Sequence, residues 1–74
     1  MSVQDLTQAA IKHLYAGELL KKAALDISTL MEHMSDEQVE AAVSIRQLLI
    51  GYATSELAVT QGLCDVAERE QSRC

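Results

Sequence analysis

The sequence contains no proline, tryptophan, phenylalanine or asparagine, and it has only three glycines among its 74 residues. Because proline and glycine are the residues that most often interrupt helices, few points in the chain can end one. Alanine, leucine, glutamate, glutamine, lysine and methionine, which are all good helix formers, make up much of the rest. The composition therefore predicts an all-α protein with long helices.

Positive charge is also scarce, since the formal net charge is −5 and no basic cluster occurs. Nucleic acids and anionic membranes both require a basic surface, so neither is expected as a partner. No stretch approaches the roughly 18 continuous apolar residues of a membrane span. The first ten residues lack the basic region and apolar run of a signal peptide. Together with unpaired thiols, these features favour the cytoplasm.

The chemistry of a metal site or an active site is not apparent in the sequence. Cys64 and Cys74 would lie about 15 Å apart on one helix, which is beyond disulfide reach. We expect Cys64 to be a buried small hydrophobe and Cys74 a loose terminal thiol. His13 and His33 lack metal-ligand spacing, and no phosphate-binding loop or nucleophile–base pair is present. The sequence thus predicts no metal, no cofactor and no catalytic residues, and a protein that is not an enzyme.

Two capping boxes mark where helices begin. Ser2 is followed three residues later by Asp5, and Ser35 is followed in the same way by Gln38. The connection before Ser35 is so short that the two helices must be antiparallel neighbours. We therefore expect a single domain over residues 1–74, with helix 1 at about 3–33, a turn at about 34–35 and helix 2 at about 36–70.

Both helices carry residues that repeat every seven positions in two rows, as in the seam of an antiparallel coiled coil. In helix 1 the rows are Leu6, His13, Leu20, Ile27 and Met34, and Ala9, Ala16, Ala23 and Leu30. In helix 2 they are Ala42, Leu49, Glu56 and Leu63, and Ile45, Tyr52, Val59 and Val66. The alanine row predicts an unusually close approach of the two backbones.

Folding the chain at residue 35 places residues whose numbers sum to about 69 at the same height along the hairpin. Small residues then meet large ones, as when Ala16 lies near Tyr52. The predicted core comprises Leu6, Ala16, Leu20, Ala23, Ile27 and Leu49. The same register pairs His13 with Glu56, the polar members of apolar rows. We interpret them as a structural pair that fixes register, since a two-helix hairpin has no cleft for catalysis.

The apolar arc of helix 2 is wider than one neighbouring helix can cover. It spans about 220°, whereas helix 1 shields about 100° of it. An isolated hairpin would therefore expose more apolar surface than a monomer of this size tolerates. The sequence predicts a protein partner, or a second copy that completes a four-helix bundle. The predicted partner-binding residues are Leu48, Tyr52, Val59, Leu63 and Val66.

The size, acidity and hairpin layout resemble the small co-chaperones of type III secretion needle proteins, the YscE-like family. The resemblance spans residues 5–68 in layout and includes the entry into helix 2, where Asp36 and Gln38 match the family pattern. Val39 departs from it, because family members usually have an aromatic residue there. The resemblance implies a cytoplasmic protein that binds a helical-repeat chaperone and keeps the needle subunit unpolymerised before export.

A second hypothesis does not depend on this resemblance. The chain would then be a self-associating four-helix-bundle dimer with a structural role, or a regulator or inhibitor of another protein, of bacterial or phage origin. A stable dimer in solution would favour this second reading over the co-chaperone.

Overall fold

The computed structural model describes residues 1–73, which form an antiparallel helical hairpin. Helix α1 spans Val3–Leu30 and is followed by a single 3₁₀ turn at Met31–His33. Helix α2 spans Asp36–Ser72 and packs back along α1. The two helices make a rod of 59 × 14 × 13 Å. The predicted all-α hairpin is confirmed.

Side-chain caps explain where each helix begins. The Ser2 hydroxyl accepts a hydrogen bond from the backbone N–H of Asp5 at 3.1 Å, and the Asp5 carboxylate accepts one from the N–H of Ser2. At α2 the Ser35 hydroxyl accepts from the N–H of Gln38, whose side-chain oxygen accepts from the N–H of Ser35 at 3.0 Å. Met34 is extended, with φ −98° and ψ 153°, and so separates the 3₁₀ turn from α2. Both capping boxes are therefore present as predicted.

The fully buried positions between the helices are almost all occupied by small residues. Leu6 is the largest buried side chain. The other buried positions are Ala10, Gly17 and Ala24 of α1 and Ala42, Ala53 and Ala67 of α2. Small residues let the two backbones approach closely, so each helix shields the other along its length.

Gly17 lies at a point of close approach. A Cβ atom at this position would lie 3.3 Å from the Leu57 side chain and 3.5 Å from the carbonyl oxygen of Ala53. Gly51 and Gly62 have no such neighbours within 4 Å. Gly17 is therefore closely packed, so a larger side chain there requires Leu57 to shift, whereas the other two glycines face open space.

One predicted row of each helix is wrong by one residue. In α1 the fully buried row is Ala10, Gly17 and Ala24. In the predicted row, Ala9, Ala16 and Ala23 are half-buried and Leu30 is exposed. In α2 the row that faces α1 contains the buried Ala53 and Ala67 and the half-buried Arg46 and Thr60. The predicted row of Ile45, Tyr52, Val59 and Val66 is exposed. The smaller row faces the partner helix because it permits the closer backbone contact, and this outweighs the greater hydrophobicity of the adjacent row.

The other predicted row of each helix does lie along the seam. Leu6 and Ala42 are buried, and Leu20, Ile27, Leu49 and Leu63 are half-buried. The predicted core is therefore correct for Leu6 and only partly shielded at its other positions. Ala16 and Ala23 belong to the edge of the interface and not to its centre.

Two further expectations concern the ends and the exterior of the hairpin. Cys64 is exposed, so its prediction as a buried hydrophobe is wrong: it lies on the flank of α2, which α1 does not cover. Cys74 lies outside the described residues. Over residues 1–73, neither helix is long and apolar enough to cross a bilayer.

Candidate protein-interaction surfaces

Large apolar side chains are exposed along both helices of the hairpin. On α1 they are Ile11, Leu14, Tyr15, Leu19, Leu25 and Leu30, and on α2 they are Ile45, Leu48, Ile50, Tyr52, Val59 and Val66. Scattered exposed hydrophobes are normal on a monomer, but continuous patches are characteristic of interaction sites. Whether these side chains indicate an interaction site therefore depends on how they are arranged on the rod.

Four of these residues lie in one row along α2, which we call the ridge. Ile45, Tyr52, Val59 and Val66 recur every seven residues, which places them on one side of the helix. Tyr52, at the middle of the ridge, is 60% exposed. Leu48 adjoins the ridge between its first two members and is also exposed. The ridge is thus an apolar edge of α2 that α1 leaves uncovered.

The neighbouring edge of α1 is made of alanines. Ala9, Ala16 and Ala23 also recur every seven residues, beside the row that contains His13. In an antiparallel pair, equivalent heptad positions of the two helices lie on the same side of the rod. The alanine row and the ridge are equivalent, because each lies three residues after the row that contains His13 or Glu56, so the two run along the same side. We call the ridge and the alanine row together the ridge face. None of its seven residues is charged.

The structure divides the predicted partner-binding residues into two groups. Leu48, Tyr52, Val59 and Val66 are exposed at or beside the ridge, where another chain can reach them. Leu63 is half-buried in the seam row with Leu49 and Glu56, so it is less accessible to another chain than the other four, and its role as a partner contact stays a prediction. It belongs to the packing between the helices.

His13 and Glu56 meet across the seam. The His13 Nδ1 and Glu56 Oε2 atoms are 2.5 Å apart, and their side chains are 41% and 30% exposed. Both side chains keep contact with solvent, and neither lines the cavity that the hairpin does contain. The pair can hold the two helices in register, and its surroundings offer no enclosed space for a substrate.

That cavity lies on the other side of the seam, away from the ridge face. It is an open groove of about 390 Å³ between the helices. Ala24 and Ala53 are buried at its base, and Leu25, Ile50 and Leu57 line it. Because the side chains at its base are small, the groove follows directly from the narrow seam. We call it the cationic groove, because two basic residues border it.

Two cations border this groove, Lys21 from α1 and Arg46 from α2. Arg46 is half-buried, and its Nη1 donates a hydrogen bond to the Ser28 hydroxyl at 3.1 Å. Ser28 in turn donates to the carbonyl oxygen of Ala24. The heptad pattern did not single out Arg46, although Arg46 lies seven residues before Ala53 in the small-residue row. That spacing is the signal that could have identified it.

Within residues 1–73, no cluster of histidine, cysteine, aspartate or glutamate is arranged to hold a metal ion. The chain matches no protein-family model, no curated protein and no solved structure. The function has to be inferred from the ridge face and the cationic groove themselves.

Proposed function

We propose that this protein is a non-enzymatic binding module that acts in the cytoplasm by packing its ridge face against helices of another polypeptide. One observation carries the proposal: the ridge around Tyr52 is exposed and apolar, and the only charged pair that the structure describes between it and the alanine row is His13–Glu56. A surface of this kind is favourably removed from water by an apolar partner, at roughly 25 cal/mol for each Å² covered. Unpaired charged residues would oppose such burial; the two rows of the ridge face have none, and Glu56 between them is paired with His13.

The dimensions of the rod are sufficient for a specific interface. One long side measuring 59 by 14 Å projects an area of about 800 Å², which matches the roughly 800 Å² per partner of a standard protein–protein interface. A ridge beside a shallow row of alanines suits the apolar face of a further helix, which would complete a bundle.

The resemblance to needle co-chaperones gives this proposal its most concrete form. In that role the protein binds a helical-repeat chaperone, whose concave surface is itself lined by helices. Together the two proteins keep a needle subunit soluble and unpolymerised before export. The ridge face is the surface that would contact the chaperone, with Leu48, Tyr52, Val59 and Val66 as the central contacts.

Self-association is the second candidate, and the shape of the ridge face favours it. The large side chains of the ridge stand beside the small side chains of the alanine row. A two-fold axis through this face would set the ridge of one copy on the alanine row of the other. The product would be a four-helix-bundle dimer in which both ridges are covered.

A pair of variants with equal added charge tests the proposal. The double variant Tyr52→Asp/Val59→Asp places two carboxylates on the ridge, whereas Ser44→Asp/Ala58→Asp places two on the opposite, exposed side of α2. The wild-type chain, both variants and a blank resin are used to capture proteins from the native host, and the bound chains are identified by mass spectrometry. Light scattering gives the mass of each purified protein.

We expect the wild type and the control variant to retain the same partner, and the ridge variant to lose it while its helical circular dichroism is unchanged. A dimer in the wild type and the control that becomes a monomer in the ridge variant supports self-association instead. A monomeric wild type that retains no protein, or a partner retained equally by the ridge variant, contradicts binding through the ridge face.

A further inference from the structure

The cationic groove differs from the ridge face in one respect, which is its charge. The apolar side chains of Leu25, Ile50 and Leu57 line it, and among residues 1–73 the only charged groups that line it are Lys21 and Arg46. The chain as a whole carries a net charge of −5. Two of its six basic residues therefore border a single apolar groove in an otherwise acidic protein.

Arg46 has unused hydrogen-bonding capacity. A guanidinium group has five N–H donors, and the contact at Nη1 is a neutral hydroxyl, that of Ser28. In the part of the chain that the structure describes, no carboxylate lies within ion-pair distance of Arg46. Lys21 has only a long contact of 3.9 Å with the exposed Glu18, which contributes little. A half-buried arginine without an anion is well placed to pair with a carboxylate from outside.

We propose that the cationic groove is a docking site for an amphipathic helix of another protein, one that carries aspartate or glutamate between its apolar residues. The apolar side chains of this helix pack on Leu25, Ile50 and Leu57. Its carboxylate accepts hydrogen bonds from Arg46, with Lys21 on the opposite edge of the groove. This surface lies on the other side of the seam from the ridge face, so the proposal does not depend on the proposed function.

The shape of the groove and its charge select this occupant over two others. A small ligand needs most of its surface enclosed, and a groove between only two helices remains open along one side. A third helix lying along the rod suits such an opening, because this is how bundles are completed. Two copies that met through their grooves would oppose Lys21 and Arg46 to the same residues of the other copy, and this repulsion disfavours a homodimer through this face.

Selection from a peptide library tests the inference without knowledge of the natural partner. The probe is a phage-displayed library of helical peptides with fixed leucines at helical spacing and randomised positions between them. The full chain is the target, as wild type, as Arg46→Gln and as Arg69→Gln. Arg69 is an exposed arginine of α2 that does not line the groove, and it serves as the matched control.

We expect selected peptides to be enriched in aspartate and glutamate between the leucines on the wild type and on Arg69→Gln, and not on Arg46→Gln. For one selected peptide, glutamate-to-glutamine replacement should weaken binding to the wild type about tenfold, and binding to Arg46→Gln less than twofold. Lys21→Gln provides a second variant, since its exposed side chain is not required for folding. This variant should reduce the preference for the glutamate peptide over the glutamine peptide by a smaller factor than Arg46→Gln does.

Four outcomes would overturn the inference. The first three are no acidic enrichment, equal enrichment on Arg46→Gln, and displacement of the peptides by dodecanoate at a lower concentration than the free peptide needs, which would assign the groove to a small amphiphile. The ridge variant Tyr52→Asp/Val59→Asp should bind the selected peptides as the wild type does. Loss of peptide binding in that variant would place the peptides on the ridge face and also contradict the inference. Failure of the ridge-face proposal alone leaves these results unaffected.

Discussion

His13 on α1 and Glu56 on α2 face each other across the seam, with 2.5 Å between Nδ1 and Oε2. Each belongs to a row that is otherwise apolar, so any slip of one helix along the other would separate the pair and leave two polar groups against hydrocarbon. We therefore expect the pair to favour the observed alignment of α1 and α2. We expect the pair to contribute little to the free energy of unfolding, because both side chains are partly hydrated, and to act mainly on the alignment of the helices.

This distinction gives a first prediction. In a double-mutant cycle of His13→Leu and Glu56→Leu, we expect a coupling of about 1 kcal/mol and a double variant at least as stable as the wild type, because two leucines pack well at these positions. Urea unfolding followed by circular dichroism measures all four proteins. A double variant that loses more than about 2 kcal/mol would show that the pair is required for stability itself.

The glycines provide a second prediction, with a control inside the same chain. Gly51→Ala should stabilise the protein by about 0.5–1 kcal/mol, since alanine favours helix and nothing lies near the added methyl group. Gly17→Ala should gain less, because its Cβ would lie 3.3 Å from the Leu57 side chain. Gly17→Leu should destabilise by about 1–3 kcal/mol through overpacking. Thermal unfolding of these variants and of Gly51→Leu tests this, and equal tolerance of leucine at both positions would contradict the close approach at Gly17.

Adjacent leucines on α2 give a third prediction. Leu49 lies in the seam, whereas Leu48 is exposed beside the ridge. Leu49→Asp should therefore unfold the hairpin or cost several kcal/mol, because it sets a charge against the alanine-lined interface. Leu48→Asp and Val66→Asp should keep full helicity and weaken association only. Circular dichroism and light scattering separate the two effects, and equal loss of helicity in all three variants would mean that the faces of α2 are assigned wrongly.

The cap of α2 gives a fourth prediction. Ser35→Ala removes the hydroxyl that accepts from the backbone N–H of Gln38, and we expect a loss of about 1 kcal/mol. Ser44→Ala is the control, since Ser44 is exposed within α2 and its hydroxyl bonds only to the carbonyl oxygen of Glu40. That change should stay within about 0.5 kcal/mol of the wild type. An equal effect of the two substitutions in urea unfolding would argue against the capping box as the determinant of the turn.

The amino-acid sequence alone determined where the helices lie and how they align. Ser2 and Ser35 act through bonds to residues three positions away, so their effect is local and readable from the sequence. The short connection before Ser35 then leaves an antiparallel pair as the only arrangement, and this sets the register that brings His13 to Glu56. Each of these inferences depends on contacts between near neighbours in sequence, or on counting residues in both directions from the one turn to find which positions lie opposite each other.

Only the tertiary structure decided which side of each helix faces the other. Two adjacent rows on α2, one with Tyr52 and one with Ala53, both have the spacing of a seam, and hydrophobicity alone favours the wrong one. The outcome depends on how closely two backbones can approach, which is a joint property of Gly17 and Ala53 on different helices. Once the small residues fill the seam, Tyr52 and its neighbours are left on the outside and Arg46 borders a groove, and these are the two surfaces from which function is inferred.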